Sequence, residues 1–128
     1  MKILLDTHVL LWAALSPAML SATASGLIVD EGNEILVSAA SAWEIATKVR
    51  IGKLPGAERF EREFLELVDQ AGYSLLDIDA SVALRAGRLG GEHRDPFDRM
   101  LAAQALAADI PILSADPKLD FFQVQRVW

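Results

Sequence analysis

The stretch His93-Arg94-Asp95-Pro96-Phe97-Asp98-Arg99-Met100-Leu101 decides how the rest of the chain is read. Asp95 before Pro96 is a helix start. An aspartate N-cap accepts an orphan backbone N–H, and proline at the first helical position lacks only a donor that would have no partner there. Beyond it, Leu101, Ala102, Ala105 and Leu106 recur at helical spacing. Asp98 stands three residues before Leu101 and four before Ala102, so it heads the same apolar stripe. A carboxylate in that position is costly unless something positive meets it. The ordinary explanation is that an N3 carboxylate answers the helix dipole. That explanation weakens because acids recur in matching places along the chain.

Downstream, Pro111-Ile112-Leu113 is a short apolar run of the kind buried in a parallel sheet, ending at Ser114-Ala115-Asp116-Pro117. The tail from Phe121 to Trp128 carries Val124 and Val127 and suits an edge strand. Upstream, Gly90-Gly91 stops a helix expected from Ser81 to Leu89, and Tyr73 to Ile78 is expected as a strand. Phe60, Phe64, Leu67 and Val68 define one face of an amphipathic helix that Gly72 closes and Pro55-Gly56 precedes. An aromatic pair at that spacing reads as core.

The first half repeats the alternation. Lys2-Ile3-Leu4-Leu5 is a buried strand ending at Asp6-Thr7-His8, followed by a helical segment from Val9 to Ala14. Ser16-Pro17 is another cap-plus-proline pair, expected to open a helix reaching about Val29. After the polar turn Asp30-Glu31-Gly32-Asn33 comes a second strand, Ile35-Leu36-Val37. Ser41-Ala42-Trp43-Glu44 has the form of a capping box, with the helix continuing through Ile45, Ala46 and Val49 to a stop at Gly52. Short apolar strands alternating with helices predict an α/β fold over residues 1–128, one domain with a mainly parallel central sheet and helices on both faces.

Composition agrees with a folded domain. The chain has 128 residues, 52% hydrophobic and 23% charged, with no cysteine and a net charge of −6. That excludes a disulfide framework and a thiolate metal site, and argues against a protein that coats nucleic acid by phosphate contacts alone. It leaves room for a nucleic-acid enzyme whose acids are neutralised by bound cations, and it suits a basic partner. No apolar run is long enough to cross a membrane, and a carboxylate at position 6 comes too early for a signal peptide, so a cytoplasmic protein is expected.

In an open parallel sheet the carboxyl ends of the strands share one edge, where ligands bind. Asp6, Glu44 and Asp116 should gather there, joined by Asp98 if its helix starts over that edge. Carboxylates crowded together repel, and a bound cation is the usual relief. All-oxygen donors with only His8 and His93 nearby point to Mg²⁺ or Mn²⁺ and to metal-assisted attack of water on a phosphodiester. Taken singly, Asp95, Glu44, Asp98 and Asp116 can each be explained as helix caps. Asp6 is hardest to explain that way, since it closes a buried strand with no cation beside it.

The segments Leu4–His8, Ser38–Lys48, His93–Ala105 and Leu113–Asp116, with Gly52-Lys53-Leu54, together resemble PIN-domain proteins of the VapC toxin type, in order and along nearly the whole chain. The resemblance implies a PIN-like fold and a metal-dependent endoribonuclease, the toxin half of a type II toxin–antitoxin pair. It implies catalytic and metal-binding roles for Asp6, Glu44, Asp98 and Asp116, with Ser114, Thr7 and Asp95 in support. A small basic antitoxin, an RNA substrate and a homodimer are the partners expected. Lys48, Arg50, Lys53, Arg94 and Arg99 are candidates to guide single-stranded RNA, against the ordinary alternative of a solvated surface. Two other readings stand beside it: a non-catalytic binding module on the same fold, and an aspartyl-phosphate phosphatase. The phosphatase needs a second acid two residues past Asp6, where this chain has His8.

Overall fold

The computed structural model describes residues 1–128. Five strands, all paired in parallel, form one sheet in the order β3-β2-β1-β4-β5: β1 Lys2–Leu5, β2 Glu34–Ser38, β3 Ser74–Leu76, β4 Ile112–Leu113 and β5 Arg126–Val127. Seven α-helices connect them: α1 Thr7–Leu15, α2 Ala22–Val29, α3 Ala39–Arg50, α4 Glu58–Arg62, α5 Phe64–Gln70, α6 Ala80–Arg88 and α7 Pro96–Ala108.

Strand alternation splits the core into two layers. Ile3, Leu5, Ile35, Val37 and Leu113 face one side, packed with Val9, Leu10, Ile45, Phe60 and Phe64. Leu4, Leu36 and Ile112 face the other, packed with Leu101, Ala102 and Ala105 of α7 and with Leu119 and Phe122. The α7 stripe therefore lies on the sheet as its spacing predicts. Leu4, Leu101 and Ile112 are fully buried, each contributing about 1.5–3 kcal/mol by leaving water.

Three local expectations change. Ser16-Pro17 opens only a 3₁₀ turn, Pro17–Met19, because Ser16 makes no side-chain cap. The α-helix waits for Ser21, whose hydroxyl accepts from the Ala24 N–H. The helix expected through Phe60 and Val68 is two pieces, α4 and α5, joined at Glu63, although Phe60 and Phe64 still pack edge-to-face in the core. The third strand is shorter than expected, and α6 is capped by Asp79, which accepts from the Val82 N–H.

Candidate active site

The strand order reverses at β1: the chain builds outward through β2 and β3, then returns to place β4 on β1's other side. Such a switch point opens a crevice at the strands' carboxyl ends. Asp6 leaves β1 there, and Ser114 leaves β4. Asp6 is 3% exposed. Its Oδ1 accepts from the Thr7 N–H at 2.7 Å and its Oδ2 from the Ser114 hydroxyl at 2.6 Å, with His8 Nδ1 3.4 Å away. Burial pushes the Asp6 pKa up against His8 and those hydrogen bonds, and the Glu44 charge adds to the rise.

Glu44 arrives by a different route from the capping box. The N-cap of α3 is Ser38, whose hydroxyl accepts from the Ala40 N–H at 2.9 Å, so Glu44 lies in the second turn, not the first. Ser41 is inside the helix, and its buried hydroxyl meets that of Thr7 at 2.9 Å. This bond ties the start of α1 to α3. Glu44 is buried; its Oε2 accepts from the Lys48 ammonium, and its Oε1 has no partner at all.

At the start of α7 Asp95 is the N-cap, accepting from the Phe97 and Asp98 N–H groups at 2.9 and 3.3 Å. Asp98 Oδ2 lies 2.8 Å from His93 Nε2. Burial raises the Asp98 pKa to about 6; the His93 hydrogen bond opposes the rise, and the charges of Asp95 and Asp6 reinforce it. Asp116 caps a 3₁₀ turn, Pro117–Phe122, accepting from the Lys118 N–H at 2.9 Å while its own N–H donates to Ser114 Oγ at 3.0 Å. Ser114 thus joins Asp6 to Asp116.

Asp6, Glu44, Asp95, Asp98 and Asp116 line one cleft of about 190 Å³, with Thr7, His8, Leu11, Lys48 and Leu54. Among the expected cations only Lys48 enters it. Burial lowers the Lys48 pKa, but the hydrogen bond and charge of Glu44, with the fields of Asp95 and Asp98, hold it above its ordinary value. Arg50, Lys53 and Arg94 are exposed away from the cleft lining. Arg99 is committed elsewhere: its guanidinium donates to the carbonyls of Ala86, Leu89 and His93, fixing the loop between α6 and α7. The His93–Asp98 and Thr7–Ser41 pairs had no periodic signal in sequence, because each spans a turn or two separate elements.

The acids share the cleft, but no three His, Asp or Glu side chains converge closely enough, as they stand, to hold an ion. Internal donors explain this. Ser114 and Thr7 hold Asp6, His93 holds Asp98, and Lys48 holds Glu44. The donor set nevertheless fits a hard divalent cation. All four expected ligands are carboxylates lining one cleft, two are pushed toward protonation by burial and mutual charge, and Glu44 Oε1 is buried without a partner.

A family model, "PIN domain", matches residues 3–125. Ribonuclease VapC16 of Mycobacterium tuberculosis is 43% identical over 53 residues, a match covering 41% of this chain and only 38% of that protein. The VapBC2 complex of Rickettsia felis, solved on a DNA fragment from its promoter, has a chain that superposes with a TM-score of 0.71 at 15% identity, covering 99% of this chain and 98% of that one. VapC20 of Mycobacterium tuberculosis, described as a Sarcin-Ricin loop cleaving toxin, gives 0.68 at 17% identity over 95% of both chains. At those identities the likeness is one of fold.

Proposed function

The chain belongs to the PIN-domain family, and from that premise we propose that it is a divalent-metal-dependent endoribonuclease, the toxin half of a type II toxin–antitoxin pair, cutting single-stranded RNA in the cytoplasm. The observation that carries the reading is the buried, unpartnered Glu44 Oε1 in a cleft it shares with Asp6, Asp98 and Asp116. A Mg²⁺ or Mn²⁺ ion bound by these four would supply a water nucleophile at neutral pH and neutralise charge on the phosphate. Ser114 orients Asp6 through a hydrogen bond to Oδ2 and steadies the Asp116 backbone. Thr7 and Ser41 lock α1 against α3, which fixes Asp6 relative to Glu44. Asp95 sets the start of α7 and so the place of Asp98.

The antitoxin is proposed as a small basic protein, complementary to the net charge of −6. An apolar groove between α1 and the α4–α5 pair, lined by Leu10, Ala13, Phe60, Leu67 and Val68, offers a place for the apolar face of its helix. A homodimer is proposed as well, with Trp43, 58% exposed and edge-on to Phe97, as apolar surface open to a second copy. The binding-module alternative draws on the caps made by Asp6, Asp95 and Asp116, each accepting a backbone N–H. Those caps leave Glu44 unexplained, since it caps nothing.

The deciding experiment incubates a mixed RNA pool with the protein in Mn²⁺ or in EDTA, beside Asp6→Asn. Cleavage in Mn²⁺ alone, lost in the variant, is expected. Equal cleavage with EDTA, or none under any condition, refutes the nuclease reading. Purification from the native host with neighbouring genes intact should return the protein with a small basic partner, and recovery of free protein alone would end the antitoxin proposal.

A further inference from the structure

Lys48 is the only lysine or arginine lining the acid cleft. Its ammonium donates to Glu44 Oε2 from one helical turn along α3, while the charges of Asp95 and Asp98 reach it from α7. It therefore shares the cleft with the α3 acid and the α7 acids and is drawn by the charge of both. The two partners differ in freedom. The Glu44 side chain is 8% exposed, whereas that of Lys48 is 35% exposed, so its flexible stem has a way out to solvent. An ordinary i,i+4 pair would lend α3 only modest support. It would not account for a glutamate whose second oxygen is buried with no partner.

We propose that Lys48 is a displaceable internal counter-cation, which neutralises Glu44 until a divalent ion takes its place and then binds the RNA phosphate. This rests on the nuclease reading above. Phosphate favours the released lysine, and the released lysine leaves Glu44 to the ion. Metal and RNA then bind with positive coupling, and the coupling is reciprocal.

The test measures Mn²⁺ affinity by titration calorimetry and electron paramagnetic resonance. It is run with and without a 2′-O-methyl single-stranded oligonucleotide recovered intact after the measurement. Wild type should bind Mn²⁺ about fivefold more tightly with the oligonucleotide present, and Lys48→Gln about fivefold more tightly without it and with no further gain, each step equivalent to about 1 kcal/mol. Lys48→Met, which also loses the hydrogen bond, should shift in the same direction and gives a second reading if the Gln variant folds poorly. Lys48→Arg keeps the charge and should retain weak affinity, as should Lys2→Gln, outside the cleft. Mn²⁺ affinity that is unchanged or weaker in the neutral Lys48 variants, or coupling that survives in them, overturns the proposal. Wild type that binds no Mn²⁺ at all refutes the nuclease reading together with this one, so the two failures are distinct.

Discussion

Asp98→Asn should stabilise the metal-free protein at neutral pH while abolishing cleavage. Burial first, then the charges of Asp95 and Asp6, raise the Asp98 pKa from 3.8 to about 6 against the pull of His93. A carboxyl whose folded pKa is raised contributes stability that is fully present below its unfolded pKa and is lost as pH rises through the folded value. For Asp98 that window runs from about pH 4 to about pH 7, and the shift corresponds to about 3 kcal/mol at its upper end. The favourable interaction of a first-turn carboxylate with the helix dipole returns up to about 1 kcal/mol to the charged form. The net gain for asparagine at pH 8 is then about 2 kcal/mol, or roughly 6–10 °C in Tm for a domain of this size. The assay is thermal melting of both proteins in EDTA at pH 4.5, 6 and 8. The gap between the curves should be smallest at pH 4.5 and widen as pH rises, the wild type falling faster. Asp6, also raised by burial, remains in the variant and keeps some slope. Parallel curves, or a variant less stable than wild type at pH 8, would show that Asp98 is not held under charge strain. A variant that cleaves at near wild-type rate would move the third ligand to Asp95.

Saturating Mn²⁺ should raise wild-type stability by about 2.7 kcal/mol at a hundredfold excess over Kd, and an unchanged Tm in millimolar Mn²⁺ would refute the metal site. Asp95→Asn keeps a competent N-cap on α7, so melting should change by less than about 0.5 kcal/mol while cleavage falls only in part; complete loss of cleavage would make Asp95 a ligand. Arg99→Met should cost about 2–3 kcal/mol in urea unfolding by leaving the carbonyls of Ala86, Leu89 and His93 without their donor. A near-neutral result would return Arg99 to the RNA-guiding set. Gly91→Ala should also destabilise the protein, because Gly91 has φ +90° and a Cβ there would overlap the Phe121 ring.

What the sequence made legible follows from how local each determinant is. Asp95-Pro96 needs only its own backbone to start α7, and the Leu101–Ala105 stripe needs only helical period to find the sheet, so both were readable and both hold. The capping box at Ser41 was equally regular and did not form. Ser38 leaves β2 with extended backbone and caps α3 first, three residues early. A capping box would have held Glu44 beside the helix end. Moved into the second turn, it instead lines the cleft that Asp98 also lines, and Ser41 becomes a contact to Thr7. The acids themselves were visible because strand ends and helix starts mark one edge of a parallel sheet. What holds each acid was not, because Ser114 reaches Asp6 across 108 residues and His93 reaches Asp98 around a turn. Those internal donors decide the chemistry at rest. An acid cluster read from sequence implies bare repulsion awaiting an ion. In the folded chain each carboxylate already has a donor of its own, so a bound ion must compete with hydroxyls, an imidazole and an ammonium. Among these donors the Lys48 ammonium, held above its ordinary pKa by Glu44, brings a full positive charge to the acid it meets, and for that reason the competition at Glu44 sets how tightly the cleft takes a cation.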